Sequence, residues 1–122
     1  MKEEQLHKQI CNYIKIQYKN IIFNTDASGL RLTIGQAVKI KNLRSSNGIP
    51  DIVIYESRKG FHGLFLEVKK ETPYKKDGNL KKCKHLEEQN EIAFKLIDKG
   101  YYCKFVWNFE QAKKLIDDYL GL

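Results

Sequence analysis

The chain has 122 residues, 42% hydrophobic and 11% aromatic, which is enough for one compact core and too apolar for a disordered segment. Its 22 Lys and Arg outnumber 15 Asp and Glu, leaving a formal net charge of +7 and a pI near 9.3. That surplus suits a polyanionic partner such as nucleic acid, and equally a basic surface that only keeps the protein soluble.

Residues 3–18 carry a helical pattern, with Leu6, Ile10, Tyr13, Ile14 and Gln17 on one stripe. Ile21-Ile22-Phe23 reads as a short strand and Asp26-Ala27-Ser28-Gly29 as a turn. Residues 30–47 are poorly patterned; they carry Arg31, Lys39, Lys41 and Arg44 and end in the loop Ser45-Ser46-Asn47-Gly48. Residues 51–55 form a strand of β-branched type, 56–60 a polar turn and 63–69 the returning strand, so the pair predicts a hairpin. A Lys-rich loop with Pro73 and Gly78 covers 70–82. Residues 83–99 predict a second long helix that buries Leu86, Ala93, Leu96 and Ile97 and stops at Gly100. A strand over 101–107 follows, then a helix over 109–120 that aligns Phe109, Ala112, Ile116, Tyr119 and Leu120. The predicted order is α-β-β-β-α-β-α, an α/β fold in one domain spanning 1–122, without repeat or linker.

Cys11, Cys83 and Cys103 are far apart and lack metal-ligand spacing, which argues against a disulfide framework or zinc ribbon and fits a reducing cytoplasm. Cys11 and Cys103 read as small core residues. The charged N-terminus has no apolar signal region, and no stretch approaches the ~20 apolar residues of a membrane span.

The chemistry concentrates in Gly48-Ile49-Pro50-Asp51 and Glu67-Val68-Lys69. Alternate strand residues share a face, so Leu64, Leu66 and Val68 point one way and Phe65, Glu67 and Lys69 the other. A hairpin symmetric about Lys59 sets Tyr55 opposite Gly63 and Asp51 opposite Glu67, with Cβ atoms about 5 Å apart. Two carboxylates that close repel each other, and a Mg²⁺ ion between them relieves the conflict with hard oxygen ligands. Pro50 opens the strand where no ladder hydrogen bond is lost. Lys69 beside such an ion suits orienting water and stabilising charge on a phosphate. The pattern also admits a plain cross-strand ion pair. Glu3, on the stripe of Leu6 and Ile10, or Glu4 one residue on, reads either as a further acid for the site or as a helix N-terminal charge. Gln89, between Leu86 and Ala93, needs hydrogen-bond partners if buried. Lys69, Lys70, Lys75, Lys76, Lys81, Lys82 and Lys84 follow the acidic strand, and Arg31, Lys39, Lys41 and Arg44 precede it. These two basic runs suit phosphate gripping without base reading.

On these residues the chain resembles a VRR-NUC domain, a branch of the PD-(D/E)xK nuclease superfamily. The resemblance rests on Gly48-Ile49-Pro50-Asp51, the strand Gly63-Leu64-Phe65-Leu66-Glu67-Val68-Lys69, Gln89 and the Gly100-Tyr101 step, with Glu3 and Leu6 matching the start of the first helix. It covers nearly the whole chain. It implies a restriction-endonuclease-like mixed β-sheet flanked by helices, and a divalent-metal-dependent deoxyribonuclease using Mg²⁺, with Mn²⁺ as substitute. It further implies that Asp51, Glu67 and the Val68 carbonyl bind metal, Glu3 supports it, Lys69 acts on the nucleophile and Gln89 completes the site. One ion or two would fit. Stand-alone members of this kind come from phages or bacteria, and several act as homodimers on branched DNA such as Holliday junctions. The expected partners are therefore branched DNA and a second copy, in the cytoplasm of a bacterial or phage-infected cell, with no membrane. The loop over 71–82 is longer and more Lys-rich than the family pattern, which bears on substrate geometry rather than chemistry. Two other readings are a non-catalytic nucleic-acid-binding module and a sequence-specific restriction-like endonuclease, for whose recognition segments 122 residues leave little room.

Overall fold

A computed structural model describes residues 2–26, 32–45 and 48–121. The elements in chain order are α1 (Glu3–Gln17), β1 (Phe23–Thr25), α2 (Ile34–Leu43), β2 (Ile52–Ile54), β3 (Leu64–Val68), α3 (Lys84–Asp98), β4 (Tyr102–Val106) and α4 (Phe109–Leu120). The predicted elements occur in the predicted order, with α2 as an addition inside the stretch that carries little pattern. The turn predicted at 26–29 and the loop at 45–48 fall mostly on Ala27, Ser28, Gly29, Ser46 and Asn47, which lie outside the described residues.

The sheet order is β1-β2-β3-β4, antiparallel across the first two junctions and parallel across the last. It is therefore a mixed sheet. The hairpin pairs Ile52 with Leu66, Val53 with Phe65 and Ile54 with Leu64, the register expected of symmetry about Lys59. The turn itself closes on Arg58 and Phe61, with Lys59 at φ 53° and Gly60 at φ 85°. One extra residue is thus absorbed on the first arm near the tip, and the register at the acidic end is untouched. β1 starts two residues later than the apolar run suggests. The Ile21 amide closes a turn on the Tyr18 carbonyl at 3.0 Å, so pairing starts at Phe23 and takes in the polar Asn24 and Thr25.

Leu64, Leu66 and Val68 point into the core, where they meet Ile52, Ile54, Val106, Leu6, Ile10 and Ile14 of α1, and Ala112 and Ile116 of α4. α1 and α4 are tied together where Asp117 accepts the Tyr13 and Tyr18 hydroxyls at 2.6 and 2.5 Å. Cys103 is buried, while Cys11 is half-buried against the core. Gln17, expected on the α1 stripe, is exposed, and His7 takes a buried place instead.

α3 covers the opposite face over β4, with Gln89 on Glu67. It ends as expected: the Gly100 and Tyr101 amides return to the Ile97 and Leu96 carbonyls at 3.0 Å, and a Cβ at Gly100 would strike the His62 ring. The expected apolar burial on α3 is only partial, with Leu86, Ala93 and Leu96 half-covered and Ile97 44% exposed. α3 leans over β4 rather than across the sheet, so β2 on that side is left open above Val53 and Tyr55.

Candidate active site

Asp51 directly precedes β2, and the hairpin register extended by one step sets it opposite Glu67. Both are buried, Asp51 at 7% exposure and Glu67 at 5%. Each grips the backbone of the other strand. The Asp51 amide donates to Glu67 Oε2 at 3.1 Å, and the Val68 amide donates to Asp51 Oδ2 at 2.8 Å. The Asp51 carbonyl accepts the Asp26 amide at 2.7 Å and the Thr25 hydroxyl at 3.0 Å. Amide, carbonyl and carboxylate of one residue are thus all anchored, which suits a side chain whose position must not drift.

α3 adds the third member. Gln89 is buried at 7% exposure, and its amide nitrogen donates to Glu67 Oε1. Its own Oε1 is buried without a hydrogen-bond partner among the described residues. The close approach depends on Gly48, whose φ is +83° and where a Cβ would lie 3.1 Å from the Gln89 backbone.

Burial first, and the Asp51 carboxylate second, push the Glu67 carboxyl far above the usual carboxylate range, with Lys69 pulling the other way. A hard divalent cation between the two carboxylates would relieve their repulsion, and the Gln89 oxygen would offer a third oxygen donor, directly or to a water. The donor set therefore fits Mg²⁺ or Mn²⁺, which bind through one or two carboxylates and retain waters. Among the described residues no three His, Cys, Asp or Glu side chains gather into a metal-binding group. Glu3 lines the same cleft but stays exposed and does not close on the pair, and Glu4 is exposed and outside it.

The acids sit in a cleft of about 500 Å³ whose rim includes Lys41 of α2 and Arg44, which caps that helix, together with His85 and Glu88 of α3. Arg44 pairs with Asp26 at 3.4 Å, and its Nε is buried without a partner among the described residues. Ala37 and Lys41 recur at helical spacing and Arg44 follows at the C-terminal cap, so this side of α2 lines the cleft that holds the acids. Lys39 lies off that side and off the cleft wall. Lys69 lines an adjoining cleft of about 290 Å³ with Lys70 and Lys81, and the two clefts share Glu3 and His85. Lys75, Lys76 and Lys82 are exposed outside both clefts. Lys75 belongs to a small closed turn in which its amide donates to the Asn79 carbonyl at 2.7 Å and its carbonyl accepts Gly78. Arg31 lies outside the described residues.

Sequence reasoning passed over His85, Glu88 and His7. His85 stands four residues before Gln89, and His7 four after Glu3, so helical spacing alone would have placed both beside named candidates.

The fold resembles that of a solved structure described as a VRR_NUC domain protein. The TM-score is 0.66 at 23% sequence identity, over 100% of this chain and 90% of that one. No protein-family model matches the sequence, and no curated protein matches it. The likeness establishes the shared architecture, and the site geometry must carry the chemistry.

Proposed function

We propose that this chain is a VRR-NUC-type, divalent-metal-dependent DNA endonuclease that hydrolyses phosphodiester bonds, selects branched DNA and works as a homodimer. The observation that carries the reading is the buried Asp51–Glu67 pair capped by Gln89, whose Oε1 has no partner among the described residues, inside a cleft rimmed by cations. A carboxylate pair used only for stability would not be buried together with an unsatisfied amide oxygen.

Asp51, Glu67 and the Val68 carbonyl would hold Mg²⁺ or Mn²⁺. Bound there, the ion lowers the pKa of a coordinated water and polarises the scissile phosphate. Gln89 fixes Glu67 and orients the water side of the site. Lys69, two residues after Glu67 and lining the adjoining cleft, would hold the attacking water and balance charge gathering on the phosphate. Lys41 and Arg44 grip the phosphate chain on the α2 side, and Lys70 and Lys81 grip it beyond Lys69. Lysines and a monodentate arginine hold phosphates without naming bases, which favours shape over sequence as the basis of selection. Two copies supply the two sites that symmetric cutting of a junction needs.

The test is cleavage of labelled four-way junction, flap, single strand and duplex with Mg²⁺ or Mn²⁺, alongside Asp51→Asn and Lys69→Ala. The expected result is metal-dependent paired nicks on the junction, with each variant slowed about 100-fold or more while DNA binding survives. Full activity in either variant would sink the assignment. Binding without cleavage of any substrate would instead support a non-catalytic module, and a monomeric mass by sedimentation at working concentration would remove paired cutting.

A further inference from the structure

α1 carries one polar side chain within its buried apolar stripe. His7 is 6% exposed and lies among Leu6, Ile10 and Ile14, which are buried outright. A buried imidazole is costly unless its nitrogens are bonded, and an aliphatic side chain would fill the position without that cost. Core packing alone therefore does not account for a histidine.

The ring Nε2 meets the Thr25 hydroxyl of β1. That hydroxyl has a single proton, and it donates this proton to the Asp51 carbonyl at 3.0 Å. Thr25 must then accept from His7, which puts a proton on Nε2. The result is a directed chain: His7 N–H to Thr25 Oγ1, and Thr25 O–H to the Asp51 carbonyl. It ends on the residue whose carboxylate accepts the Val68 amide and whose amide donates to Glu67. Glu3, one helical turn before His7, lines the acidic cleft, so the same chain locks the start of α1 against the acidic end of β2.

We propose that His7 is a positioning residue of the acidic site, holding Asp51 in place through Thr25. The inference rests on the reading of Asp51 and Glu67 as a metal site. It adds that the site's affinity is set partly from the far side of the sheet, by a side chain that touches neither metal nor DNA. Groups that orient metal-ligating residues typically carry 10–100-fold in metal affinity, and one acting through an intermediary belongs at about 10-fold.

Mn²⁺ binding by isothermal titration calorimetry separates this role from simple core filling. The variants are His7→Leu, His7→Gln, Thr25→Val and the double His7→Leu/Thr25→Val. His7→Leu and Thr25→Val should each raise the Mn²⁺ Kd about 10-fold. His7→Gln, which keeps an N–H at the reach of Nε2, should stay close to the unmodified protein. The double variant should be no worse than the weaker single, because both cut one chain. DNA affinity in EDTA should not move in any of them. Should His7→Leu not fold, Thr25→Val decides the matter, since Thr25 is an exposed residue of the edge strand. Unchanged Mn²⁺ affinity in Thr25→Val, or a His7→Gln as weak as His7→Leu, would overturn the proposal. If the unmodified protein binds Mn²⁺ and cleaves DNA while the variants match it, only the role of His7 falls. If it binds no Mn²⁺ at all, the metal-site reading falls and takes this inference with it.

Discussion

Glu67 accepts a backbone amide and the Gln89 amide, faces Asp51 and is 5% exposed. Its carboxyl is raised by burial first and by Asp51 second, to about 10 from an ordinary 4.5. A group that binds its proton more tightly folded than unfolded makes stability fall as pH rises, because the unfolded state then binds fewer protons than the native one. Its contribution is full below pH 4.5 and is lost progressively as pH climbs toward 10. Chelator-treated protein should therefore melt at lower temperature with each step up in pH through that window. Glu67→Gln, which cannot ionise, should flatten the dependence. At the proposed metal site Mg²⁺ would compete with the proton, so it should raise the melting temperature most at the alkaline end. Thermal melts across pH, with EDTA or Mg²⁺, check all three. A Glu67→Gln variant with an unaltered pH slope would show that the pair does not hold a proton. The same burial, helped by Glu67, pushes the Cys103 thiol up to about 12, which leaves it a neutral core residue.

Gly48 joins the loop before β2 to α3, and a comparison with Gly78 isolates what that junction does. Both have left-handed backbones, at φ +83° and +88°. Alanine at Gly78 would meet nothing within 4 Å, so Gly78→Ala should cost only the conformational penalty, about 1–2 kcal/mol. Alanine at Gly48 would press on the backbone of Glu88 and Gln89 at 3.1 Å. Gly48→Ala should therefore lose more, roughly 2–3 kcal/mol, and should also lose cleavage as Gln89 moves off Glu67. Urea unfolding and junction cleavage of the two variants make the check; equal losses would mean that α3 yields without harm. The pairing of Asp51 with Glu67 was legible because strand alternation and hairpin symmetry are local rules, and the extra residue near the tip left them intact; the packing of Gly48 on Gln89 is a long-range contact that neither rule reaches. α2 was less legible. Thr33 and Gln36 form a reciprocal capping box, with bonds of 3.0 and 3.2 Å, and the T-x-x-Q spacing is plain in the sequence. Its apolar residues hid it, since Ile34, Val38 and Leu43 are exposed and mark no buried stripe. α3 failed in the opposite sense. Its apolar pattern predicted a covered face, yet Gln89 is its one buried residue among those described, because the helix leans over β4 and leaves room above the acids.

The charge of +7 acts on any polyanion that approaches, but the structure distributes that charge unevenly. Lys41 and Arg44 line the cleft that holds the acids, and Lys69, Lys70 and Lys81 line the adjoining one, so a phosphate chain crossing both clefts would meet cations on either side of the acidic pair. Each cation that truly neutralises a phosphate releases counterions and steepens the fall of affinity with salt, by about 0.9 in the logarithmic slope on duplex. α2 supplies an internal control, because Lys39 and Lys41 are two residues apart and about 200° apart around the helix. Lys41→Ala should lower the slope by about 0.9 and slow cleavage, whereas Lys39→Ala should leave both near their original values. Fluorescence anisotropy on a four-way junction over a salt series, without divalent metal, measures the slopes. Equal slopes for the two variants would mean that DNA lies along another face and that the field of the protein, not the α2 stripe, steers it. A loss confined to Lys41→Ala would put the phosphate chain in the cleft above Asp51 and Glu67, where the proposed chemistry needs it.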